Sequence, residues 1–106
     1  MLTNKPGDPS RRILKHFGIG DAFMDIIGGG DVARLKPEPD GVHRCMEIAG
    51  VEAVNTWMIG DHWTDLAAAD HAGIKSAYVR YGFGEERGCK PDVYFASFSE
   101  LVGYFC

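Results

Sequence analysis

The chain reads as an α/β protein of three layers, a mostly parallel β-sheet with helices on its flanks. Three observations predict that class. Short apolar runs recur at Phe23 to Ile27, Thr56 to Gly60, Ser76 to Val79 and Val93 to Ala96. Between them lie stretches with apolar residues at helical spacing, and strands alternating with helices build right-handed βαβ units. Polar clusters follow several of the predicted strands, at the carboxyl edge where open α/β sheets bind their ligands.

Each element has a local reason. Met1-Leu2-Thr3-Asn4 reads as the end of a strand. Asp8 and Pro9 predict a helix start, cap followed by proline at the first helical position. Ile13, Leu14 and Phe17 give that helix an apolar face, and Gly18 can close it. Phe23 to Ile27 is a compact strand ended by Gly28-Gly29-Gly30. Pro39 and Asp40 open a second helix with Val42, Cys45, Met46 and Ala49 on one face and Gly50 at its end. Thr56 to Gly60 is a buried strand, and Leu66 to Ala72 a small-residue helix stopped by Gly73. Two more strands, Ser76 to Val79 and Val93 to Ala96, flank a Gly-rich loop from Tyr81 to Gly88. A last helix starts near Ser99 as its cap and uses Leu101, Val102 and Phe105.

Composition narrows the function classes. The 106 residues are 45% hydrophobic and 25% charged, the balance of a single globular domain spanning 1–106. Net charge is −4 and pI about 5.4, which favours neither nucleic acid nor an anionic membrane as partner. No apolar run approaches the roughly 20 residues of a membrane span, and the N-terminus lacks a signal-peptide pattern. Three scattered cysteines, Cys45, Cys89 and Cys106, make no CxxC pair, so they read as inert thiols of a reducing cytoplasm. Cys45, on a helix face, reads as core packing.

Gly60-Asp61-His62-Trp63-Thr64-Asp65 carries the strongest chemical signal. Asp61 at a strand tip and Asp65 four residues on present two carboxylates at one sheet edge, and paired hard oxygens suit Mg²⁺. The structural alternative is that Asp61 caps a helix while Asp65 is a solvated first-turn charge. Lys36, between a Gly-rich turn and Pro37, projects a compact cation suited to a phosphate oxygen or a carboxylate; elsewhere such a lysine is a surface charge. Thr3 and Asn4 sit at a strand tip before a helix start, where hydroxyl and backbone N–H groups can donate to phosphate, although Asn-Lys-Pro-Gly is also turn composition. Gly28-Gly29-Gly30-Asp31 is not a dinucleotide fingerprint, because the glycines are adjacent, and Asp31 reads as a turn residue. His16, His43 and His71 read as structural. His62 and Trp63 lie within the acidic motif and could shape the substrate side.

Thr3-Asn4-Lys5, Lys36-Pro37-Glu38-Pro39-Asp40 and Gly60-Asp61-His62-Trp63-Thr64-Asp65, taken in order, make the chain resemble the haloacid dehalogenase superfamily, most of all its phosphoglycolate phosphatase branch. The Tyr81-Gly82-Phe83-Gly84 loop and the Lys90-Pro91-Asp92 lead into the last strand extend the likeness. The resemblance implies a Rossmann-like core and a Mg²⁺-dependent phosphomonoesterase that works on a small phosphorylated metabolite through an aspartyl-phosphate. It implies that Thr3 binds the transferring phosphoryl group and that Lys36 neutralises charge on it. Asp61 would ligate the metal and Asp65 support the metal site. Family members take their nucleophile and general acid/base from an Asp-x-Asp at the end of a central strand, and this chain contains no Asp-x-Asp. The expectation is therefore the C-terminal portion of a core domain, with nucleophile strand and cap absent. A catalytically silent fragment that only binds metal or phosphate is the alternative. A signalling receiver domain uses the same residue types in the order Asp, Thr, Lys, whereas here the order is Thr, Lys, Asp. Without a central strand, the strands ending at Thr3 and Asp61 have unpaired apolar edges, which predicts closure across the gap or self-association through strand exchange.

Overall fold

The computed structural model describes all residues from Met1 to Cys106. Five strands and four helices follow one another as β1 (Leu2–Pro6), α1 (Gly7–His16), β2 (Ile27–Gly29), α2 (Asp40–Ala49), β3 (Trp57–Gly60), α3 (Trp63–Ala72), β4 (Lys75–Val79), β5 (Val93–Phe95) and α4 (Phe98–Phe105). Every strand pair is parallel, as the alternation of elements predicts.

The sheet is split. β1 pairs with β2, and β3, β4 and β5 form a separate piece in that order. The expected closure across the gap does not occur, because β1 and β3 share no ladder. A groove lined by Leu2, Phe23, Cys45, Met58, Ile59 and Asp65 runs between the pieces, and Ile59 keeps 44% of its surface exposed. What joins the two halves is α2 packed on α3, with Leu2 and Met58 against a cluster of Val42, Ala68, Ala69 and Ile74. Across the sheet, Ala77, Val79 and Phe95 form a second cluster with Trp57 and Leu101. Adjacent residues of a strand face opposite ways, so Met58 serves the first cluster and Trp57 the second. Edge-to-face contacts of Trp57 and Phe95 with Tyr104 and Phe105 seat α4 on that side, at centroid distances of 5.2–6.0 Å.

Several boundaries differ from the sequence expectation, each for a local reason. β2 starts at Ile27, not Phe23, because its ladder with β1 begins at the Leu2–Ile27 pair; Met24, ahead of it, is 79% exposed. α1 is capped at Pro6 and not Asp8, whose carboxylate instead pairs with Arg11 at 2.8 Å. The apolar face expected of α1 meets no core: Ile13 and Phe17 are exposed, while Gly7 and Ser10 are its buried residues. α3 begins three residues earlier than Leu66, and α4 is capped by Ser97, which accepts from Glu100 N at 3.2 Å, instead of Ser99. Gly50 and Gly73 close α2 and α3 as expected.

Candidate functional site

β1, the first turn of α3 and the loop before α2 meet around Lys36. Asn4 makes two hydrogen bonds to that residue's backbone: its Oδ1 accepts from Lys36 N at 3.0 Å, and its Nδ2 donates to Lys36 O at 2.9 Å. One amide side chain thus reproduces a backbone pair and fixes the loop to the middle of β1. From that fixed point the Lys36 ammonium reaches Asp65 Oδ1 at 2.5 Å and Leu2 O at 3.4 Å. The two charged side chains are 10% and 9% exposed, so the ion pair is buried and links the two sheet pieces at their rim.

Asp65 is held from its other side. Its Oδ2 accepts from His62 N at 3.2 Å, and His62 caps α3 by accepting from Thr64 N at 3.3 Å, a reciprocal capping box. The structural alternative for the acidic motif is therefore not what the fold adopts: His62 is the cap, and Asp65 is buried, not solvated. The turn is tight enough that a Cβ at Gly60 would collide with the Asp65 side chain.

Asp61 faces elsewhere. Its Oδ2 accepts from Phe83 N at 3.1 Å, in the loop after β4. Thr3 Oγ1 accepts from Lys5 N at 3.2 Å, which leaves the hydroxyl proton free to donate. Asn4, Lys36 and Asp65 are thus brought into one bonded chain. Thr3 adjoins it along β1, and Asp61 adjoins it along the turn that carries Asp65, without a direct bond from either to Lys36.

Asp61 has one oxygen without a hydrogen-bond partner, a hard donor suited to Mg²⁺, whereas both oxygens of Asp65 are engaged. No group of three His, Cys, Asp or Glu side chains is placed to hold a metal. Asp61 therefore offers one oxygen that a cation could take, and Asp65, bonded to Lys36 and His62, offers none.

Two contacts of segments named from the sequence were not foreseen there. The Tyr81–Gly88 loop lies against the acidic turn, and the Gly-x-Gly spacing of Gly82 and Gly84 was the available signal, since glycine permits close backbone approach. His71 Nδ1 lies 2.8 Å from Pro37 O, a second tether on the lysine loop from α3. Asp31, expected as a turn residue, accepts from Gly28 N and pairs with Arg11 Nη1, both at 2.9 Å. The Arg11 guanidinium first, then the Gly28 amide, hold its carboxyl below the usual carboxylate range.

The chain is similar to known proteins along most of its length. A family model for haloacid dehalogenase-like hydrolases matches residues 1–79. The phosphoglycolate phosphatase of Rhodospirillum rubrum is 39% identical over 86 residues, covering 81% of this chain and 36% of that protein. That of Vibrio parahaemolyticus is 34% identical over 105 residues, covering 96% and 46%. Among solved structures, a predicted phosphoglycolate phosphatase from Haemophilus somnus superimposes with a TM-score of 0.90 at 28% identity, covering 99% of this chain and 48% of that one. A predicted phosphatase from Clostridium acetobutylicum gives 0.84 at 29% identity, with 95% and 48% covered. The chain thus spans half or less of the length of each of these relatives. With its split parallel sheet, its lysine loop pinned at the rim and its acidic turn, this chain belongs to the haloacid dehalogenase-like hydrolase family.

Proposed function

We propose that these residues form the phosphate- and cation-facing half of a Mg²⁺-dependent phosphomonoesterase of the phosphoglycolate phosphatase type, acting on a small phosphorylated metabolite in the cytoplasm. The observation that carries this reading is Lys36, clamped by Asn4 and buried against Asp65, in the same turn whose first carboxylate is Asp61. In it, the Thr3 hydroxyl donates to a phosphoryl oxygen and Lys36 offsets the charge that oxygen carries. Asn4 acts by positioning Lys36. Asp61 holds the cation, and Asp65 keeps the ammonium aimed at the rim. Bound Mg²⁺ would draw charge from the phosphoryl oxygens, the kind of stabilisation phosphoryl transfer needs most. The nucleophile is not among these residues, since no Asp-x-Asp is present.

A second reading is a silent module that binds metal or phosphate only, favoured by the engagement of both Asp65 oxygens. One pair of measurements tests both readings. Inorganic phosphate titrated in the presence of Mg²⁺ is expected to shift the amide resonances of Thr3 and Asn4, and Lys36→Met is expected to abolish the shift. No shift at these positions overturns phosphate binding in both readings. The same chain is expected to leave p-nitrophenyl phosphate intact. Mg²⁺-dependent turnover lost in Asp61→Asn would mean that the nucleophile is present after all.

A further inference from the structure

The loop from Tyr81 to Gly88 crosses the acidic turn and is anchored at several points that do not involve Asp61. Trp63 N donates to Glu85 O at 2.6 Å, and Tyr78 OH donates to Gly84 O at 3.2 Å. Tyr94 OH donates to Glu86 Oε2 at 2.8 Å, and the Arg87 guanidinium lies over the Trp63 ring at 5.2 Å. These anchors come from β4, β5 and the first turn of α3, so the loop is positioned by the rigid sheet piece. Its inner edge then touches Asp61. A Cβ at Gly82 would overlap the Asp61 side chain, and one at Gly84 would overlap the Asp61 carbonyl. Between them, Phe83 N donates to Asp61 Oδ2, while the Phe83 side chain is fully exposed.

We propose that this loop is a strap that positions Asp61 for a divalent cation: the Phe83 N–H fixes Oδ2 and so directs Oδ1 outward, and glycine at 82 and 84 lets the strap lie close enough to do so. This rests on the reading of Asp61 as a cation holder. The physical basis is that an unrestrained carboxylate rotates about its last torsion. A donor held by other anchors removes that freedom before the cation arrives, which lowers the cost of binding. Phe83, Gly82 and Gly84 are on this account positioning residues, acting through Asp61 and not touching the ion. The side chain of Phe83 is irrelevant to the function, and its backbone N–H is essential.

Paramagnetic broadening by Mn²⁺, followed in amide spectra of the full chain, tests this without any turnover assay. In the wild type, Mn²⁺ is expected to broaden the Asp61, Phe83 and Gly84 amides, and Asp61→Asn is expected to abolish it. Phe83→Ala, which keeps the N–H, should leave the Mn²⁺ affinity unchanged. Phe83→Pro, which removes it, should weaken affinity about tenfold, and Gly82→Ala, which pushes the strap off Asp61, should do the same. If Phe83→Pro and Gly82→Ala bind like the wild type while Asp61→Asn does not, the strap is overturned and the cation site stands. If Asp61→Asn binds like the wild type, or the wild type shows no broadening, the cation site itself fails. Should Phe83→Pro not fold, as judged by the dispersion of its amide spectrum, Gly82→Ala and Phe83→Ala decide alone.

Discussion

Lys36 and Asp65 show how much one pair of side chains can do in a small chain. Taking two charges out of water costs several kcal/mol, and their attraction offsets it only when further hydrogen bonds satisfy the remaining donors and acceptors. Here Leu2 O and His62 N supply those bonds. Removing one partner leaves the other charge buried alone, so Lys36→Ala and Asp65→Ala are each expected to lower unfolding free energy by about 3–5 kcal/mol. Lys36→Met paired with Asp65→Leu is expected to cost much less, since no charge is stranded. Urea denaturation of the four proteins measures this directly. A double variant as unstable as the singles would mean the pair matters through something other than its charge.

The loop between β4 and β5 has its own pH signature, set by two tyrosines. Burial first, then the charges of Glu86 and Asp61, push the Tyr78 phenol up; the hydrogen bond to Glu86, then burial, push Tyr94 up. A phenol whose folded pKa is raised favours the protonated, folded state. Its contribution is fully present below the unfolded value of about 10 and is lost as pH rises through the folded one. Stability is therefore expected to fall above about pH 10. Tyrosinate absorbance should appear at higher pH in the folded protein than in urea. Tyr94→Phe should remove part of that difference and loosen the strap, seen as faster exchange of the Phe83 amide. Coincident folded and unfolded tyrosine titrations would contradict the assignment of these bonds.

At the scale of the whole molecule, the open groove and a thin core go together. Seventeen of 106 residues are buried, and large apolar side chains such as Ile13, Phe17, Ile59 and Phe98 are substantially exposed. β1 and β3 present unpaired edges toward one groove, an arrangement that recruits further strands. We expect the isolated chain to self-associate at micromolar concentration, with sedimentation velocity showing a concentration-dependent average mass. Cys45, which lines the groove, should be labelled more slowly by a thiol reagent as association proceeds. A monomer at all concentrations, with Cys45 labelled at one rate, would count against the groove as an association surface.

The sequence by itself determined the element types, their parallel order and the identity of the residues at the rim. These follow from local matters: apolar periodicity, glycine stops, and polar groups placed directly after a strand. Lys36 beside Pro37 and the Asp61–Asp65 turn were legible for that reason. Tertiary structure alone decided the rest. It made His62 and not Asp61 the cap of α3, turned Asn4 from an anion donor into a clamp on Lys36, left the apolar face of α1 without a core, and brought the Phe83 amide to Asp61. Each of those outcomes depends on which distant segment arrives opposite a given edge or side chain. Hydrogen bonds and burial are satisfied between partners far apart in the chain, and no local pattern specifies such a partner.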